Sequence, residues 1–174
     1  MSRFRVLVVV GVIATVVTLL VGQKAGEVPD CATGSVLELE VARTEEKATE
    51  LIGPCDEAGL DVLRDALRAD NLAFVPLYIA SVALWSVLAA KDLRWSSERR
   101  QQLVLAAAVA IAVAGAFDLV ENHYLGKVVD AAGASGDIGL ATAASVAKWV
   151  LVLYAVPVSV IAMVRCVKVA VRPA

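Results

Sequence analysis

The chain is poor in the residues that most often carry chemistry. It has three cysteines, Cys31, Cys55 and Cys166, and no two of them stand in a Cys-x-x-Cys pair. Thiol–disulfide oxidoreductases work through such pairs, so the pattern favours a structural Cys31–Cys55 bridge over a redox pair. His123 is the single histidine. A bis-histidine haem needs two, and a zinc site made from His123, Glu121 and Asp118 would lack the usual spacing and soft ligands. There is no glycine-rich phosphate loop, no nucleophile elbow and no metalloprotease helix motif. No catalytic residue, cofactor or metal is therefore assigned, and the balance is against an enzyme. The basic residues are too few and too divided for a nucleic-acid surface.

What the chain has in quantity is apolar residues: 59% of 174. A soluble domain of this size carries fewer of them and more charge. Four long apolar stretches stand out, and each approaches the ~20 residues a helix needs to cross a bilayer core. They predict an all-α membrane protein, a four-helix bundle with spans at about 6–22, 72–90, 103–124 and 143–164. The whole chain, 1–174, then forms one membrane domain. Lipid leaves backbone groups no partner but one another, so each span must be a helix. The first stretch also resembles a signal peptide in its basic start, but a small-x-small cleavage site is poor, with Gln23 two residues before Ala25. It is read as a retained span.

Charge sets the orientation. Arg3 and Arg5 precede the first span. Lys91, Arg94, Arg99 and Arg100 lie between the second and third, and Arg165, Lys168 and Arg172 follow the fourth. By the positive-inside rule these segments are cytoplasmic, with Trp95 as an interfacial anchor. Gln23 to Asp70 carries twelve acids against five bases, a net of −7, and is read as extracytoplasmic. Both termini are then cytoplasmic, and the expected location is the cell membrane. Cys31 and Cys55 fall in a compartment where disulfides persist. Their bridge would staple the 23–70 segment into a cap between the first two spans.

Within that cap, Leu37-Glu38-Leu39-Glu40-Val41 alternates apolar and acidic, which predicts a short strand. Thr44 is placed to cap a short helix that Gly53-Pro54 ends. From Asp56 the pattern is helical again, and no breaker precedes the next apolar run, so one helix is expected over about 57–90. Pro76 sits inside it and should distort it. In the first span Gly11, Thr15, Thr18 and Gly22 recur at spacings of four, three and four. Such a stripe of small residues lets helices approach closely, within the bundle or in a dimer. The third span is alanine-rich, suited to a central position. The link at about 126–139 is glycine-rich and reads as a surface loop whose Asp130 and Asp137 are simply solvated.

The polar residues of the spans converge. With the second helix running inward, the third outward and the fourth inward, Asp70, Asn71, Asp118, Glu121, Asn122 and Lys148 all fall toward the outer leaflet. Asp118, Glu121 and Asn122 share one helix face at spacings of three and four, and His123 lies off it. Charges at membrane depth are costly and usually paired, and Lys148 is the expected counter-ion of Asp118 or Glu121. Several carboxylates competing for one cation is a condition for proton exchange or cation binding. It is equally a way to fix helix order and register. The first reading is a structural or interaction role for the network. The alternatives are a lipid, small-ligand or proton/ion site between helices two to four, with Phe74, Tyr78 and Trp149 as an apolar wall, and a membrane-surface enzyme. Expected partners are membrane lipids and a membrane-protein partner or a second copy of the chain.

On these residues the chain resembles a known group. Asp70-Asn71-x-x-Phe74 with Tyr78, Asp118-x-x-Glu121-Asn122 and Lys148 are similar to small bacterial four-span membrane proteins without assigned function, as are Leu37–Glu40 and Thr44–Ile52. The resemblance covers most of the chain and implies an integral membrane fold with a shared polar cluster, and no activity. A claudin-like protein would carry a tryptophan-bearing motif in its first outer loop, and no tryptophan precedes Trp85.

Overall fold

The computed structural model describes residues 3–25, 28–92 and 98–171. Gly26, Arg94, Trp95 and Arg172 lie outside them. The described residues form α1 (Arg3–Ala25), α2 (Val36–Glu40), α3 (Glu45–Ile52), α4 (Glu57–Ala69), a π-helical segment (Asp70–Phe74), α5 (Val75–Asp92), α6 (Glu98–Asp130) and α7 (Ile138–Val171). There is no strand among them. Four helical stretches, Arg3–Gln23, Glu57–Lys91, Glu98–Asp130 and Ile138–Val171, are long and apolar enough to cross a membrane. The all-α, four-span architecture stands, and the helices extend past the apolar runs at most ends.

The strand expected at Leu37–Val41 is instead helix α2. A capping box overrides the alternation. Ser35 Oγ accepts from Glu38 N at 3.2 Å, and Ser35 N donates to Glu38 Oε2 at 2.7 Å. Two otherwise orphaned donors are satisfied in this way, and a turn of helix forms. Five residues of period two cannot outweigh that. Only Leu39 of the apolar set is buried, while Leu37 and Val41 are exposed. Thr44 caps α3 as expected, accepting from Lys47 N at 3.3 Å, and Asp56 caps α4, accepting from Gly59 N at 3.0 Å.

The helix expected over about 57–90 is continuous but changes winding at Asp70–Phe74, where Val75 N–H bonds Asp70 O, five residues back. Proline explains the position. Pro76 has no N–H for the Leu72 carbonyl, and its ring would press on that carbonyl in an α-helix. One wider turn before it relieves both problems.

By contacts the chain divides into two units. In the first (Met1–Leu19, Pro76–Gly115 and Trp149–Ala174), the small residues of α1 lie on α5. Trp85 Nε1 donates to Thr15 Oγ1 at 2.9 Å, and Thr18 Oγ1 is 2.9 Å from Ser81 Oγ. A Cβ on Gly11 would come within 2.7 Å of the Trp85 ring, so glycine is what lets the indole approach the helix there. Ala107, Ala110, Ala114 and Ala155 pack with Ile111, so α6 and α7 meet through alanines. The small stripe of α1 is thus used within the chain.

In the second unit (Leu20–Val75 and Ala116–Lys148), α2, α3 and α4 bury Leu39, Leu51, Ile52, Leu60 and Leu63 against Leu125, Val128 and Val129 of α6 and Ile138 and Ala141 of α7. Each such leucine or isoleucine contributes roughly 1.5–3 kcal/mol by leaving water. The Cys31–Cys55 disulfide is formed, with Cα atoms 5.0 Å apart.

The α6–α7 link is shorter than the sequence suggests, because α6 continues to Asp130. That helix ends in a Schellman turn. Gly133 N bonds Val128 O at 2.8 Å, Ala132 N bonds Val129 O at 3.0 Å, and Ala132 takes a left-handed φ of 48°. Asp130 is not simply solvated. It accepts Arg64 Nε at 2.8 Å, while the same guanidinium holds Glu57 at 2.6 Å and Asp61 at 2.7 Å. Asp137 lies 3.8 Å from Lys127 Nζ.

Candidate functional site: a shared buried lysine

Three carboxylates and one lysine of the second unit form the candidate site. Lys148 lies on α7 with its side chain 8% exposed. Its Nζ is 2.6 Å from Glu121 Oε2, 3.1 Å from Asp118 Oδ1 and 3.3 Å from Glu40 Oε2. An ammonium has three N–H groups and no acceptor, so three carboxylates match its donors in number. They come from two other elements, Glu40 from α2 and the other two from α6. Asp118 and Glu121 are three residues apart on one helix face, which lets both reach the same atom. With every group ionised, these three acids and one base, the members among the described residues, sum to −2.

Burial is graded. The side chain of Glu121 is 0% exposed, that of Asp118 6% and that of Glu40 16%. The cluster meets solvent chiefly at Glu40. Glu121 Oε1 and Ser145 Oγ are both buried without a hydrogen-bond partner among the described residues. Ser145 sits on α7 midway between Thr142, whose Oγ1 donates to Ala42 O at 2.6 Å, and Lys148, which reaches Glu40. One face of α7 therefore looks toward residues 40–42.

A second polar group adjoins on α6. Asn122 Nδ2 donates to Asp70 Oδ2 and to Asn71 Oδ1, the latter at 2.9 Å. Asp70 and Asn71 open the π-helical segment, so the distortion at Pro76 and this amide clamp fall at the same turn. Asp70 is thus met by Asn122, one residue from Glu121. His123 is exposed and stacks edge-on with Tyr124, with ring centroids 5.3 Å apart.

Of the residues singled out in the sequence, Asp118, Glu121 and Lys148 meet directly, and Asp70, Asn71 and Asn122 meet beside them. Tyr78 packs against the alanine cluster of the first unit. Phe74 lies against Gly22, where a Cβ would approach its ring to 2.7 Å, and Trp149 is on the exposed side of α7. Glu40 is the member that the alternating pattern does not reveal, because there it is one of two acids in an expected strand. A signal existed. Ser35-x-x-Glu38 is a capping-box pattern, which assigns Glu38 a local task and leaves Glu40 at a helix C-terminus. An acid is disfavoured there unless something else holds it.

Among the described residues no three of His, Cys, Asp or Glu are arranged to hold a metal ion. No protein-family model, no curated protein and no solved structure matches the chain.

Proposed function

We propose that the chain is an integral membrane protein with both termini cytoplasmic, and that its polar network has a structural or interaction role. In this reading Lys148 clamps the extracytoplasmic segment between the first two spans onto the third and fourth. The observation that carries it is the sharing of one ammonium by carboxylates of α2 and α6. Positive-inside charge and a disulfide, which persists in oxidising compartments, support the orientation. The test is a double-mutant cycle on Lys148→Met and Asp118→Asn in detergent. The clamp requires coupling of about 1 kcal/mol or more, and additive losses would remove it.

One observation favours a second reading, a binding site at the same cluster. Glu121 Oε1 is enclosed and accepts no hydrogen bond among the described residues. Native mass spectrometry of gently solubilised wild type beside Lys148→Met tests this. A small molecule or lipid that co-purifies and is lost in the variant identifies the ligand class. A bare protein in both removes every ligand that is heavy enough to weigh.

A further inference from the structure

We propose that the cluster is a proton-binding site, in which Glu121 takes up one proton on Oε1 and Glu40 is its contact with water. This rests on the second reading above and names its ligand.

Two requirements select the ligand. Glu121 is fully enclosed, and Oε1 has no donor among the described residues. A ligand there must be very small and must supply an N–H or O–H. The cluster also has more carboxylates than cations. Among the described residues, the charged groups facing Glu121 include Asp118 on its own helix, Lys148 on α7 and Glu40 on α2, with Asp70 held by the neighbouring Asn122. A buried excess of negative charge is expensive. A water molecule supplies donors and leaves the charge unchanged. A proton does both tasks at once, turning an acceptor-only oxygen into a hydroxyl donor.

The chemistry is simple protonation. The carboxylate of Glu121 and one proton from water give the carboxylic acid, and the cluster changes from −2 to −1. Lys148 keeps its charge. The graded exposure from Glu40 to Glu121 supplies the route, since all three carboxylates share the same Nζ. Ser145 adds a second unpartnered hydroxyl on the face of α7 that carries Lys148, a group able to accept from or donate to a carboxylic acid.

Infrared difference spectroscopy across pH steps tests this, on the full chain in lipid nanodiscs. The expected result is the carbonyl band of a protonated, buried carboxyl that grows as pH falls, is lost in Glu121→Gln and survives in Asp118→Asn. In Glu40→Gln the band remains, and its shift on transfer to D2O is slowed. If Glu121→Gln fails to fold, wild type labelled with 13C at glutamate carboxyls decides instead. The band must then move with the label and persist in Glu40→Gln. Absence of the band in wild type, its survival in Glu121→Gln, or its loss in Glu40→Gln overturns the proposal. A missing band together with a ligand detected by mass would leave the binding-site reading standing and remove only the proton.

Discussion

Lys148 and Glu40 are 108 positions apart in sequence, and their charged atoms are 3.3 Å apart. That contact joins a five-residue helix, too short to be stable alone, to a lysine of α7 whose Nζ also meets Asp118 and Glu121 of α6. The arrangement is asymmetric, with one cation serving three anions, and the asymmetry decides what substitutions do.

Removing the cation leaves three buried or half-buried carboxylates without it. Lys148→Met is expected to cost about 3–5 kcal/mol, the range for breaking a buried pair from one side. Glu40→Gln removes one anion of three, loses an attraction to Nζ and relieves repulsion from Asp118 and Glu121. Its cost is expected to stay within about 1 kcal/mol, the size of an ordinary exposed pair. Thermal unfolding of the two variants in one detergent checks the order. Equal losses would mean that Lys148 is not shared as the geometry implies.

The clamp around Asn122 makes a separate prediction. Asn122→Ala leaves the half-buried Asp70 and Asn71 without their shared donor, at about 1 kcal/mol, the lower end of the cost of an unsatisfied group. The double variant Asn122→Ala with Asp70→Ala should cost less than the sum of the two single changes. Strict additivity would show that the π-helical turn holds Asp70 and Asn71 by its backbone alone.

The spans were legible because length and hydropathy decide them locally: ~20 apolar residues admit one structure in lipid. The face shared by Asp118, Glu121 and Asn122 was legible for the same reason, since helical spacing is a local rule. Lys148 followed because one cation among several acids has few alternatives. Glu40 and α2 were not legible from alternation, because a capping box of four residues outweighed a five-residue pattern and only tertiary contact shows where Glu40 goes. Pro76 announced a distortion, but its form as a π-helical turn bearing Asp70 and Asn71 depends on how the freed carbonyl is accommodated. Glycine content in the link after α6 suggests looseness, whereas Gly133 is packed against the backbone of α3.

The disulfide makes a third prediction. Cys31 and Cys55 are 24 residues apart, and closing a loop of that length is worth roughly 3 kcal/mol by chain entropy. Cys31→Ser with Cys55→Ser should lower stability by about that amount. Limited proteolysis should then cut first between the two positions. A doubly substituted protein as stable and as protease-resistant as wild type would show that the core of Leu39, Leu51, Ile52 and Leu60 orders this segment unaided.

The last prediction separates two glycines of the α6–α7 link. Gly133 has φ of +91°, and a Cβ there would lie 2.6 Å from both N and Cα of Thr49 on α3. The clash is with backbone, so no side-chain rotation relieves it, and the left-handed conformation adds its own penalty. Gly136 has nothing within 4 Å of the same constructed atom and a φ outside that range. Gly133→Ala is expected to cost more than about 1 kcal/mol, and Gly136→Ala to change stability by no more than about 0.5 kcal/mol, or to raise it slightly by narrowing the unfolded ensemble. Both are read by thermal unfolding in the same detergent. A cost at Gly133 makes the turn after α6 a seat for α3, so that the link holds the Leu51–Ile52 core in place as well as joining two spans. Equal and small effects at both positions would mean that α3 yields by the better part of an ångström that relief of the contact needs, and that the turn is a connection only.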